Sequence, residues 1–185
     1  MRGVASPDLF TVSGAVFSPC ARYRYLLWRS WDAGKSQVLF VMLNPSTADA
    51  ERNDPTVERC QRRAHAMGFG GVLVANLFAL RSTDPAALYA VHDPIGPDNN
   101  RAIRDAARGA ALVVCAWGDH GALGGRGAAV RALLERHGHA LYVLGLNRGG
   151  APKHPLYVSY ARGPQPWGPP TGPGGRPRLG AVTAP

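Results

Sequence analysis

The sequence predicts an α/β protein: a three-layer sandwich with a central four-stranded parallel sheet flanked by helices, plus an N-terminal β-hairpin. Three observations carry this. Four short apolar runs, "VLFVML" (38–43), "VLVANLFA" (72–79), "ALVVCAW" (111–117) and "ALYVLGL" (140–146), are spaced along the chain. Near-continuous hydrophobicity without alternation marks strands buried on both faces, which is the habit of parallel sheets. The gaps between the runs carry helical signals, and strand–helix alternation builds a sandwich with right-handed crossovers.

The first elements are extended. "LFTVSGAVFS" and "YRYLLWRSW" are rich in aromatic and β-branched residues and are separated by "PCAR", the pattern of an antiparallel hairpin. After the first apolar run, Asp54-Pro55 reads as N-cap and first helical residue, and Val57, Cys60, Ala64 and Met67 recur at helical spacing up to a stop at Gly68. Thr83-Asp84-Pro85 starts a short helix through Tyr89. Asp98 or Asn99 caps another that reaches about Arg108, and "GAAVRALLERHG" is an amphipathic helix closed by Gly138. Residues 1–162 read as a single domain. From 163 to 185 proline and glycine dominate and no carboxylate occurs, so this part is expected to be a disordered basic tail.

Composition narrows the function. The chain has 185 residues, is 45% hydrophobic and carries a formal net charge of +9, from 21 Lys+Arg against 12 Asp+Glu. An excess of this kind, almost all arginine, points to a polyanionic partner such as nucleic acid. The three cysteines, Cys20, Cys60 and Cys115, are odd in number and never spaced C-x-x-C, which argues against a disulfide framework or a thiolate metal site. No stretch approaches the ~20 apolar residues that span a bilayer, and the N-terminus lacks a signal-peptide core. A cytoplasmic, nucleoid-associated monomer without metal or other cofactor is expected.

In open parallel sheets, ligands bind outside the carboxyl ends of the strands. Each apolar run here gives way to polar residues: Asn44-Pro45-Ser46-Thr47 after the first, Asn76 and then Arg81-Ser82-Thr83 around the second. Trp117-Gly118-Asp119-His120 comes after the third, and Asn147-Arg148, then Lys153-His154-Pro155, come after the fourth. Asn76 interrupts a strand interior, where an unpaired amide costs ~1–3 kcal/mol. Each feature also has a structural reading, because Asn-Pro-Ser makes turns, Asn and Ser cap helices, and His154 suits an ordinary loop. "GDHGALGGRG" lacks the G-K-[ST] of a phosphate-binding loop, and Ser46 lacks the G-x-S-x-G context of an esterase nucleophile.

Taken together, "NPSTAD", "DPTVERC", "VANLFALRSTDP", "DPIGPDNN", "VVCAWGDHG" and "HPLY" resemble the DUF1643 family of small bacterial and phage proteins, from about Tyr23 to Trp167. Their layout is similar to that of the uracil-DNA glycosylase superfamily. The resemblance implies that "LNPS" stands for the motif after the first parallel strand, "ANLFALRSTDP" for the motif closing a later strand, and "KHPLY" for the motif after the last. Ser46 replaces a glycine of the first motif, and Leu156 a serine of the third.

Carried over, Asn44 would orient the attacking water and His154 would hydrogen-bond the base oxygen as charge develops there. Pro45, Ser46, Thr47 and Asn76 would bind the base, with Asn76 reading it, while Arg81, Arg148 and Lys153 would hold DNA phosphates. The implied activity is hydrolysis of the N-glycosidic bond of uracil or another damaged base in single- or double-stranded DNA. A nucleotide- or nucleoside-processing enzyme on the same scaffold and a non-catalytic nucleic-acid-binding module are the alternatives.

Overall fold

The computed structural model describes residues 2–8 and 11–168, with side chains from Val12 onward. It is a mixed α/β fold around one sheet, with strands β1 (Arg2–Asp8), β2 (Thr11–Phe17), β3 (Arg24–Ser30), β4 (Gln37–Met42), β5 (Gly71–Asn76), β6 (Ala110–Cys115), β7 (Leu141–Val143) and β8 (Gln165–Pro166). The helices are α1 (Pro55–Ala66), α2 (Ala87–Ala90), α3 (Asn99–Gly109) and α4 (Arg126–Arg136).

The sheet runs β1-β2-β3-β5-β4-β6-β7-β8. Strands β5, β4, β6 and β7 are mutually parallel, whereas β3 lies antiparallel to β5 and β8 antiparallel to β7. The sheet is therefore mixed, which corrects the expectation of a four-stranded parallel sheet with a separate hairpin. The reason is the edge of β5. All six of its residues are buried, and an apolar edge with open N–H and C=O groups must be covered. The hairpin strand β3 does so, setting Leu27 opposite Val74 and Trp28 opposite Leu73.

The central strand β4 shows why the molecule has three layers. Val38, Phe40 and Met42 join Val57, Cys60 and Ala64 of α1 in one core. Leu39 and Val41, pointing the other way, join Ile103 of α3 and Val130 and Leu134 of α4. A side-chain period of two on a strand buried from both sides makes this division.

Helix α1 begins as its sequence indicates: Asp54 Oδ1 accepts from the Val57 N–H at 2.8 Å, with Pro55 as the first helical residue. The helix expected to run from Thr83 to Tyr89 shrinks to the four residues of α2. Gln165–Pro166, expected to belong to the tail, pairs with β7, and the Trp167 N–H donates to the Leu141 carbonyl at 2.7 Å. The expectation of disorder for the rest of the tail falls on residues 169–185, outside the described residues. Among the described residues no helix is long and apolar enough to cross a membrane.

Candidate functional site at the carboxyl ends of the parallel strands

β5 and β6 flank β4 on opposite sides, so the chain leaves β4 at a point where the crossovers diverge, the place where open sheets leave a crevice. A cavity of about 640 Å³ lies there, within the range of small-molecule sites. All four parallel strands contribute to its wall: Asn44, Ser46 and Thr47 after β4, Ser82 and Thr83 after β5, Trp117, Asp119 and His120 after β6, and Asn147, His154 and Tyr157 after β7. Where β4 ends, the polar groups of the following segment line this cavity.

Asn44 is half-buried and held by its amide. Nδ2 donates to the carbonyls of Ser82, at 2.8 Å, and of Pro45, at 3.1 Å. Two carbonyl acceptors fix which end of the amide is nitrogen, so Oδ1 is the free end, with no hydrogen bond from any described residue. Pro45 is buried and outside the lining. Its carbonyl ties the loops together by also accepting from the Ser82 N–H at 2.9 Å.

His154 sits at the start of a 3₁₀ turn, and the Leu156 N–H points at its Nδ1 at 3.4 Å, a long contact. A ring nitrogen that faces a donor carries no proton, which leaves the proton of the neutral ring on Nε2. Burial holds the imidazole below its ordinary value of 6.5, against a smaller opposing pull from the Asp54 carboxylate. Near neutral pH His154 is thus an uncharged ring with one N–H to offer.

The remaining expected site residues are elsewhere. Asn76 is 1% exposed and absent from the lining. Its Oδ1 lies 3.5 Å from Nη2 of the buried Arg24, its carbonyl accepts from Asn99 Nδ2 at 3.0 Å, and its Nδ2 has no partner among the described residues. The amide expected to read a base thus faces the β3–β5–α3 junction and is not part of the cavity wall. Arg81 turns toward the hairpin, reaching the Ala21 carbonyl at 3.2 Å and covering the Phe17 ring at 5.0 Å. Arg148 is exposed and Lys153 half-buried, both outside the cavity wall.

Asp54 is the residue that the sequence pattern concealed. Asp-Pro announces a helix start, and a cap explains an aspartate fully, yet capping engages only Oδ1, and the residue also lines the cavity. Cross-links between loops were equally hidden: Asn147 Nδ2 donates to Asp119 Oδ1 at 3.0 Å, and the Tyr89 hydroxyl meets His120 Nδ1 at 3.0 Å. Gly121 serves packing, for a Cβ there would lie 2.1 Å from Trp117 Cδ1, whereas Gly118, with open space around it, serves the turn through its positive φ of 75°.

Much of the basic excess is internal. Arg24, Arg29, Arg63 and Arg126 are buried and, among the described residues, none is within ion-pair distance of a carboxylate. They donate to backbone carbonyls instead. Arg24 reaches Ala48 at 2.7 Å, Arg29 reaches Asp49 at 2.8 Å, and Arg126 reaches Leu77 at 2.8 Å. Arg63 holds Val158 and Ser159, and Arg59 holds Pro155 and Val158. A guanidinium has five donors in a rigid fork and can satisfy several carbonyls that an irregular loop leaves open. Burial lowers Arg24 and Arg126 to about 10, so both remain charged near neutral pH. These arginines fix the loops that shape the cavity. Among the described residues no Lys or Arg lines the cavity itself. Among the described residues no three His, Cys, Asp or Glu side chains are placed to hold a metal ion.

No curated protein and no solved structure matches the chain. A family model described as "Protein of unknown function (DUF1643)" matches residues 24–156. That span runs from β3 to the turn after His154 and takes in most of the cavity wall. Covering well over half of the 185 residues, it shows that the protein belongs to the DUF1643 family.

Proposed function

We propose that the protein is a DNA glycosylase-like hydrolase that cleaves the N-glycosidic bond of uracil or another damaged base turned out of DNA into the cavity. The observation that carries this is the meeting of Asn44 and His154 in one cavity with aromatic walls, although 110 positions separate them in the chain.

The chemistry asks for three things: a held water, a donor for the oxygen of the departing base, and a dry slot for the ring. The free Oδ1 of Asn44 accepts from water and orients it. Neutral His154 offers Nε2–H to a base oxygen that turns anionic as the bond breaks, an interaction strongest in the transition state. Tyr157, exposed at the wall, would cover a base, and the buried Trp117 backs the cavity.

The distribution of charge favours a base still attached to a polymer over a free nucleotide. Among the described residues the wall holds no Lys or Arg side chain to pair with a phosphate. On this reading Arg148 and Lys153, on the loop leading to His154 and outside the wall, would meet backbone phosphates.

The test is a panel of oligonucleotides bearing uracil or other single lesions, incubated under single-turnover conditions and treated with alkali to reveal abasic sites. Free nucleotides and nucleosides form the parallel arm. Strand breaks at one lesion, lost in His154→Ala, are the expected result. Base release from free nucleotides alone would overturn the DNA reading. Binding without release from any member would show a non-catalytic module.

A further inference from the structure

The weak point of that chemistry is the nucleophile, because an asparagine amide orients water but takes no proton from it. We propose that Asp54 is the catalytic base, its Oδ2 receiving the proton of the water that Asn44 holds. The assignment rests on the hydrolytic reading of the cavity and adds a residue to it.

Asp54 is 8% exposed, and it belongs to the cavity wall with Asn44 and His154. Its two oxygens have different surroundings. Oδ1 caps α1 through the Val57 N–H. Oδ2 receives no hydrogen bond from any described residue, yet it is not sealed in the protein as an unsatisfied atom. A nearly buried carboxylate thus keeps one oxygen open at a pocket.

The N-terminus of a 12-residue helix favours an anion, and the buried Arg24 guanidinium behind the loop interacts favourably with Asp54. The other carboxylate of the wall, Asp119, is exposed and has one oxygen engaged by Asn147. Asp54 is also held in register with His154. Arg59, one turn into α1, donates to the Pro155 carbonyl at 2.7 Å, the residue after His154.

The step balances. Water donates one hydrogen bond to Asn44 Oδ1 and the other to Asp54 Oδ2. Its oxygen attacks C1′ while the C1′–N bond breaks, and that electron pair goes to the base, whose oxygen is met by His154 Nε2–H. The water proton moves to Asp54, and the new hydroxyl stays on the sugar. The base then gains a proton from solvent, and Asp54 returns its own to solvent.

Asp54→Asn provides a clean test, because asparagine caps helices about as well as aspartate but accepts no proton. Asp54→Ser, also a good cap, is the second variant should the first fold poorly. Single-turnover base release from lesion-bearing oligonucleotides is measured for wild type and both variants, with thermal melts and binding to the same DNA. The expected result is a loss of about 10²–10⁴-fold in rate with melting and binding unchanged. Folded variants that release base within about threefold of the wild-type rate, far short of that range, would overturn Asp54 as the base and leave the glycosylase reading standing. If wild type releases no base from any lesion, that reading falls, and the role of Asp54 falls with it.

Discussion

Replacing Arg63 by alanine tests whether the buried arginines hold the site together. Arg63 projects from α1, is 3% exposed, and donates to the carbonyls of Val158 at 2.7 Å, Ser159 at 2.9 Å and Arg162 at 2.9 Å. A hydrogen bond from a charged donor contributes ~1.5–3 kcal/mol net, so three independent bonds would total several kcal/mol. They are not independent. Ser159 and Arg162 are exposed, so their carbonyls turn to water, and the Val158 carbonyl keeps Arg59 Nη2 at 2.6 Å. What is lost outright is about one bond plus the packing of the stem, some ~2–4 kcal/mol. For a chain of this size that lowers Tm by ~5–15 °C. Thermal melts followed by circular dichroism, with urea titrations, read the loss. Amide hydrogen exchange should show it concentrated in residues 154–162. Arg63→Lys, with one ammonium in place of the fork, should fall between alanine and wild type. An alanine variant within ~0.5 kcal/mol of wild type, the range of ordinary surface substitutions, would refute the clamp and return these arginines to the account of surface charge.

Three further outcomes are expected. Asn76→Ala should lose ~1–3 kcal/mol of stability, because Arg24 loses a buried acceptor, while base release by the folded variant stays at the wild-type rate; a tenfold slower yet stable variant would restore a base-reading role. His139 and His154 are both held below 6.5 by burial, so each binds fewer protons folded than unfolded. Stability should therefore fall as pH drops through about 6.5 and level off once the native rings protonate, and urea midpoints should show a shallower slope in His154→Asn. Of the three cysteines, Cys20 is exposed with a lowered thiol value, whereas burial pushes Cys60 and Cys115 up. A thiol reagent should thus modify one group rapidly in the native protein and the others only after denaturant is added.

What the sequence alone determined is whatever depends on neighbours in the chain. The four apolar runs became β4 to β7, because their side chains must be buried on both faces wherever the strands pair. The start of α1 was legible in Asp54-Pro55, since a cap and a proline act within one turn. The carboxyl-end placement of Asn44 and His154 came from strand direction alone. Tertiary structure decided the rest. Whether an arginine binds phosphate or a carbonyl is not written in its immediate neighbours: Arg59 meets Pro155 across 96 positions, and Arg24 meets Ala48 across 24. The same holds for Asn76, whose strand position matched the expectation but whose amide turned to Arg24. The pairing of β3 with β5 and of Gln165–Pro166 with β7 depends on which edges the assembled sheet leaves open. Asp54 shows both levels in one residue: the chain determined the oxygen that caps α1, and only the fold, by bringing four strand ends together, put the residue in a cavity wall.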